Sequence, residues 1–145
     1  MPDSTHHITT DEGITALLER VHMVAVLGIK TADSQSPAYG VPEYAQRAGL
    51  RIIPVPVYYP DATEILGERV FRSISAIGER VDLVDVFRRG QDIPAHLDDL
   101  LAAKPRAVWF QLGIRNDLVA ERLAEAGIDV VQDRCLKVEL AKRGR

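Results

Sequence analysis

Val24-Ala-Val-Leu-Gly-Ile-Lys-Thr-Ala-Asp-Ser-Gln-Ser-Pro-Ala-Tyr-Gly40 is the stretch on which the fold turns. Met23 to Leu27 is too short and too continuously apolar for a surface helix, and it reads as a strand buried on both faces. The strand ends at Gly28 and opens into a small-polar loop ahead of a helical pattern. A parallel strand of this kind delivers the chain to the carboxyl edge of a sheet. There a glycine lets backbone approach a ligand closely, and the next helix offers unpaired N–H groups and a positive dipole end. Phosphate binding is the chemistry this arrangement suits.

The pattern continues on both sides. Ile14, Leu17, Leu18 and Val21 fall at i, i+3, i+4 and i+7, which predicts an amphipathic helix with Asp11 as its cap and Glu12 in the first turn. Val41, Tyr44, Ala45 and Ala48 predict a second helix, with Pro42 in its first turn and Gly49 just past its end. Strands are expected at Leu50 to Val55, Val81 to Phe87, Ala107 to Gln111 and Ile128 to Val131, with a brief one at Val70 and Phe71. Helices are expected from Ile93-Pro94 through Leu97, Leu100 and Leu101, and through Leu118, Ala120, Leu123 and Ala126 to Gly127. Strands that alternate with helices require crossover connections, so the fold class is α/β: a doubly wound parallel sheet in three α/β/α layers.

Composition sets the bounds. At 145 residues, 11–145 fits one domain, which buries about 70% of its unfolded surface without a disulfide or metal staple. Residues 1–10 contain no basic start followed by an apolar core, so they read as a flexible N-terminal tail rather than a secretory signal. Lys137 to Arg145 reads as a fraying helix end whose cations suit the dipole. A 46% hydrophobic share, 27% charged residues and a net charge of −3 describe an ordinary soluble globular chain. No apolar run reaches the roughly 20 residues of a membrane span, and a cytoplasmic location follows as the expectation. The charge balance argues against nucleic acid, and one cysteine with four histidines argues against a zinc site.

The loop also excludes by what it lacks. A dinucleotide fingerprint needs G-x-G-x-x-G and an acid about 20 residues on, but only Gly28 fits and the next strand runs into prolines and tyrosines, which disfavours NAD(P). No G-x-x-x-x-G-K-[ST] is present, so Lys30 is not a Walker lysine. Trp109 and Phe110 are consecutive strand residues and read as core on opposite faces. Asp82 and Asp85, three apart, turn to opposite faces; capping or edge solvation is expected of both, not paired acid/base work. His22 and His96 have no Ser, Asp or Cys at a spacing that would make a triad.

Ligands of doubly wound sheets sit at strand-to-helix corners. The corners here are Gly28-Ile-Lys-Thr, Pro54-Val-Pro, Phe87-Arg-Arg-Gly90, Gln111-Leu-Gly-Ile-Arg115 and Asp133-Arg-Cys135, and most combine a small or polar residue with a cation. The chain resembles the small bacterial CoA-binding proteins, similar in turn to the N-terminal CoA-binding domain of the succinyl-CoA synthetase alpha subunit. The carrying segments are Val24 to Gly28, Ser36 with Tyr39-Gly40-Val41, Ile53 to Pro56, Glu64 to Glu68, Val81 to Arg88, Val108 to Arg115 and Val131 to Lys137.

The resemblance implies a Rossmann-like domain that binds coenzyme A or an acyl-CoA. Its phosphoadenosine end would lie near the first two corners and its pantetheine along the sheet edge. Gly28, Ile29 and Ser36 would then donate to phosphate, with Lys30 as a nearby point charge. Val55 would wall the adenine, Phe87 and Arg88 would close the site, with Arg88 gripping phosphate in a planar fork, and Gln111 and Gly113 would face the pantetheine. Cys135 stands beside Arg134 in sequence, a setting that favours a thiolate, and a mixed disulfide with CoA is the redox reading to set against an inert thiol.

Noncovalent binding without catalysis is the main reading. The alternatives are part of an acyl-CoA-dependent enzyme completed by another chain, a CoA or redox sensor acting through a protein partner, and, third, an NAD(P)-binding protein.

Overall fold

The computed structural model describes residues 4–145. The strands are β1 (Met23–Leu27), β2 (Arg51–Val55), β3 (Glu64–Ile65), β4 (Glu68–Arg69), β5 (Leu83–Val86), β6 (Ala107–Phe110) and β7 (Asp129–Val131). The helices are α1 (Asp11–Glu19), α2 (Pro37–Arg47), α3 (Leu97–Ala103), α4 (Asp117–Glu125) and α5 (Leu136–Lys142). Five strands form one parallel sheet in the order β2-β1-β5-β6-β7. Alternate residues of each strand enter opposite cores. Val24 and Val26 of β1 join α1, α2 and α5 through Leu17, Val41 and Leu140, whereas Ala25 and Leu27 join α3 and α4 through Leu100 and Leu123. Trp109 and Phe110 are fully buried in opposite layers, as their consecutive positions require. This is the three-layer, doubly wound architecture that the alternating pattern predicts.

The differences from expectation are local. Thr10, not Asp11, caps α1 by accepting from the Gly13 N–H at 3.1 Å, and Asp11 sits with Glu12 in the first turn. In place of a strand at Val70-Phe71 there is the β3–β4 hairpin, whose turn residues Leu66 and Gly67 both have positive φ. Leu66 is not a turn-forming residue, which is why the sequence conceals the turn.

Both ends of the described segment are docked. His7 makes a parallel bridge to Val130, Ile8 N–H donates to the Val130 carbonyl at 2.9 Å, and His6 Nδ1 lies 2.7 Å from Asp129. The reading of a loose tail as far as Thr10 therefore does not hold for His6–Ile8. These residues satisfy the backbone of an edge strand that would otherwise be open. Nor does the C-terminus fray: Arg143 bonds Glu139 at 3.0 Å, the Thr15 hydroxyl at 2.8 Å and the Asp11 carbonyl at 3.1 Å, fastening α5 to α1. Among the described residues no helix is long and apolar enough to cross a membrane. No group of three or more His, Cys, Asp or Glu side chains among them is placed to hold a metal ion.

Asp82 behaves as expected, accepting from the His22 and Met23 N–H groups at 2.9 Å. Asp85 does not. It lies in β5 between Val26 and Trp109, is 0% exposed, and neither carboxyl oxygen has a hydrogen-bond partner among the described residues. Burial alone pushes its carboxyl well above the usual range. The native state thus holds a proton that the unfolded chain releases above about pH 4. Stability contributed by this group is full below that pH and is lost as the pH rises toward the folded value. Urea midpoints measured from pH 4 to 8 are expected to fall less steeply in Asp85→Asn than in the wild type. Asp85→Val, which removes an unpartnered polar group, is expected to gain about 1–3 kcal/mol at neutral pH. Parallel curves for Asn and wild type would mean that the carboxyl is hydrated or paired in solution.

Candidate functional site

Strand order reverses between β1 and β5: from β1 the chain runs through α2 to β2 on one side, and the later strands build outward from β5 on the other. A crevice outside the carboxyl ends at this point is where doubly wound sheets take ligands. Gly28 ends β1 here with φ +87°, and a Cβ on it would sit 2.5 Å from the Phe87 carbonyl oxygen and 3.4 Å from Arg88 Cδ. Gly28 N–H donates to the Val55 carbonyl at 2.9 Å, and Phe87 N–H to the Leu27 carbonyl at 2.8 Å. The ends of β1, β2 and β5 are thereby locked into one backbone layer, and packing of the chain alone already demands glycine. Gly28→Ala should lower stability by about 2–4 kcal/mol, since it combines a left-handed backbone with a main-chain collision. Chemical denaturation measures it, and a loss below about 0.5 kcal/mol would show that β5 can yield.

Beyond Gly28, the Ile29 side chain is 1% exposed and belongs to the core, so only its backbone can face a ligand. Ser36 caps α2, accepting from the Ala38 N–H at 3.1 Å. Because α2 begins at Pro37, Pro42 lies inside the helix and not in its first turn. A proline there has no N–H for the carbonyl four residues back, which belongs to Ala38. That carbonyl is taken instead by the Lys30 N–H at 3.2 Å. The helix-interior proline therefore tethers the loop that follows Gly28. Pro42→Ala supplies a competing N–H, and amide exchange at Lys30 is expected to quicken; unchanged protection would mean the tether does not depend on the proline.

Arg88 follows Phe87 at the third corner. It is half-buried and forms no ion pair among the described residues, whereas Arg89, Arg115 and Arg134 pair with Asp92, Asp117 and Glu139. Its Nε–H donates to His96 Nε2 at 3.2 Å, and its guanidinium lies 5.9 Å from the centre of the Tyr58 ring. Accepting at Nε2 requires a neutral imidazole with its proton on Nδ1. Burial, then Arg88, holds His96 below its ordinary value, with Asp99 and Asp92 acting in opposition. The segment carrying Tyr58 is itself anchored: the Arg72 guanidinium donates to the carbonyls of Tyr58, Tyr59, Pro60 and Ala62 at 2.8–3.2 Å. Sequence reasoning missed Tyr58, Arg72 and His96. The only signal was a run of aromatics where β2 reaches the sheet edge.

The remaining expected residues divide. Val55 is 1% exposed and packs in the core, so its side chain offers no wall to a base; Tyr58, 60% exposed, is the aromatic surface at that corner. Phe87 is half-buried against the α1–α2–α5 core. Gln111 is 5% exposed, and its side-chain carbonyl accepts from the Leu136 N–H at 3.3 Å, bracing α5 on β6. Gly113, at φ +81°, donates to Asp133 at 2.7 Å. Cys135 is half-buried after β7, two strands from β5, at the rim of a separate cleft of about 820 Å³ that Ile8, Leu112 and Val138 also line. The Arg134 guanidinium turns to Glu139 and to the Thr9 carbonyl. The structure thus gathers Gly28, Ile29, Lys30, Phe87 and Arg88 at one corner and places Gln111, Gly113 and Cys135 further along the same edge.

At this corner the N–H groups of Gly28, Lys30 and Phe87 are bonded to the Val55, Ala38 and Leu27 carbonyls, and the Arg88 guanidinium has no carboxylate partner among the described residues. The CoA binding domain family matches residues 22–141. The uncharacterized protein YneT of Bacillus subtilis is 32% identical over 125 residues, 86% of this chain and 90% of YneT. A Thermus thermophilus protein of known structure, cell-free ID.343, is 39% identical with a TM-score of 0.83, covering 92% of this chain and 98% of its own. The dinucleotide-forming acetyl-coenzyme A synthetase 1 of Ca. Korarchaeum cryptofilum shares the fold at 16% identity and a TM-score of 0.62, over 74% of this chain and 25% of the synthetase. With its matched segment running from before β1 into α5, this chain belongs to the CoA-binding domain family.

Proposed function

We propose that the protein binds coenzyme A or an acyl-CoA noncovalently at the corner between β1 and β5, without catalysing a reaction by itself. The observation that carries this reading is Arg88, a half-buried guanidinium left without a carboxylate partner among the described residues, at the switch point of a CoA-binding domain. A phosphate seated there meets the planar fork of Arg88, with Lys30 as a second cation on the neighbouring loop. The pantetheine extends along the carboxyl edge past Gln111 and Gly113 toward Cys135.

Thermal unfolding with CoA, 3′-dephospho-CoA, acetyl-CoA, NAD and ATP tests this directly, because a ligand at about 100 times its Kd adds roughly 2.7 kcal/mol. Stabilisation by CoA well above NAD and ATP is expected. Arg88→Ala should lose about 1.5–3 kcal/mol of the binding energy, the range for a hydrogen-bonded charge. Equal shifts with all five compounds, or none with CoA, would sink the reading.

A second reading, one part of an acyl-CoA-forming enzyme completed by another chain, draws on the fold shared with the Korarchaeum synthetase, of which this chain spans about a quarter. Turnover of acetyl-CoA or succinyl-CoA by the purified chain would favour it over binding alone.

A further inference from the structure

The side chains around Arg88 have a job of their own. An arginine at a sheet edge normally samples many rotamers, and a flexible cation is a poor preorganised receptor. Arg88 is held at three points: its Cδ passes beside Gly28, where a side chain would lie 3.4 Å away; its Nε–H is bonded to His96; and its guanidinium faces Tyr58. With Nε occupied by His96, the donors left to an incoming anion are the two Nη groups, the end-on arrangement suited to two phosphate oxygens.

His96 is half-buried at the end of the 3₁₀ helix Gly90–His96, and Asp99, on α3, is committed elsewhere: it accepts from the Ile74 and Ser75 N–H groups at 2.7 and 3.0 Å. Asp92 is paired with Arg89 at 2.9 Å. The two carboxylates nearest this histidine are therefore occupied, and its Nε2 is left to serve Arg88.

We propose that His96 is a positioning residue that fixes Arg88 through its Nε, with Tyr58 supporting the guanidinium plane, so that both Nη groups are presented to the phosphate of the ligand. This rests on the reading that CoA is bound at the β1–β5 corner. Neither residue touches the phosphate in this scheme; each acts on affinity through Arg88.

The test is CoA titration calorimetry on the full chain as a double-mutant cycle. His96→Leu should weaken binding about 3- to 10-fold, the value of one hydrogen bond. His96→Gln, whose amide oxygen can accept from Nε, should restore it to within about 2-fold. In an Arg88→Met background His96→Leu should have no further effect. Tyr58→Leu, a change at an exposed ring that leaves the core untouched, should weaken binding in the Arg88 protein only. Equal losses in both backgrounds, or failure of Gln to rescue, would overturn the proposal, since His96 would then act on the fold or on the ligand itself.

The Arg88 Nε–H resonance in ligand-free protein separates this from the binding reading. Slowed solvent exchange of that proton in the wild type and His96→Gln, but not in His96→Leu, supports the contact even if CoA fails to bind. Fast exchange in the wild type overturns it even if CoA does.

Discussion

The contact between Gly28 and the Phe87 carbonyl is the constraint on which the rest of the site depends. Parallel strands lie side by side through their hydrogen bonds, but at the carboxyl end of β1 the chain must leave the sheet without losing touch with β5. A glycine with positive φ is the only solution that lets the Phe87 backbone stay this close. That closeness brings Arg88 to the same corner as the β1–α2 loop. Had β1 ended on any side-chain-bearing residue, β5 would have been pushed outward, carrying Arg88 away from Lys30 and from the aromatic at the end of β2.

The β1–α2 loop depends on a second economy of backbone groups. Proline in a helix interior normally weakens it by removing one bond and crowding a carbonyl. Here the displaced Ala38 carbonyl finds the Lys30 N–H, so a local defect in α2 becomes a tertiary tether. The same reasoning explains the edges. His7 and Ile8 complete β7, and Arg143 joins α5 to α1, so groups at the chain ends that would otherwise need water are satisfied by each other. Asp85 is the exception within the sheet: an acid on a face fully covered by helices, kept neutral by burial and unassisted by any partner among the described residues.

The sheet was legible because its central strands are covered on both faces, so that β1 and β6 read as unbroken apolar runs and β5 as one broken only by Asp85; β1 lies where Met23 to Leu27 places it. The corners were legible too, since strand ends locate them. Side-chain roles were not. Val55 has the same residue type and neighbours whether it faces a ligand or the core, and only the pleat decides that it faces the core. The hairpin turn at Leu66-Gly67 hides behind a residue rarely found there, and the fate of Asp85 follows from how α1, α2 and α5 close over β5, which no local spacing encodes. His96 was set aside because it lacks a catalytic partner in sequence, yet its partner is an arginine eight residues earlier, brought near by the 3₁₀ turn between them.

Charge gives the site its direction. The chain as a whole carries −3, so an anion approaching at random meets repulsion. Arg89, Arg115, Arg134 and Arg143 are each tied to a carboxylate and contribute little outward field. Arg88 is different because its neighbours are a neutral imidazole and a tyrosine ring, which orient a guanidinium without neutralising it. A carboxylate in place of His96 would hold Arg88 as firmly but would cancel the charge that attracts phosphate. A neutral acceptor is the choice that satisfies both demands, and it is available only while the imidazole stays unprotonated. The burial that keeps His96 neutral is thus part of what leaves Arg88 open to an anion.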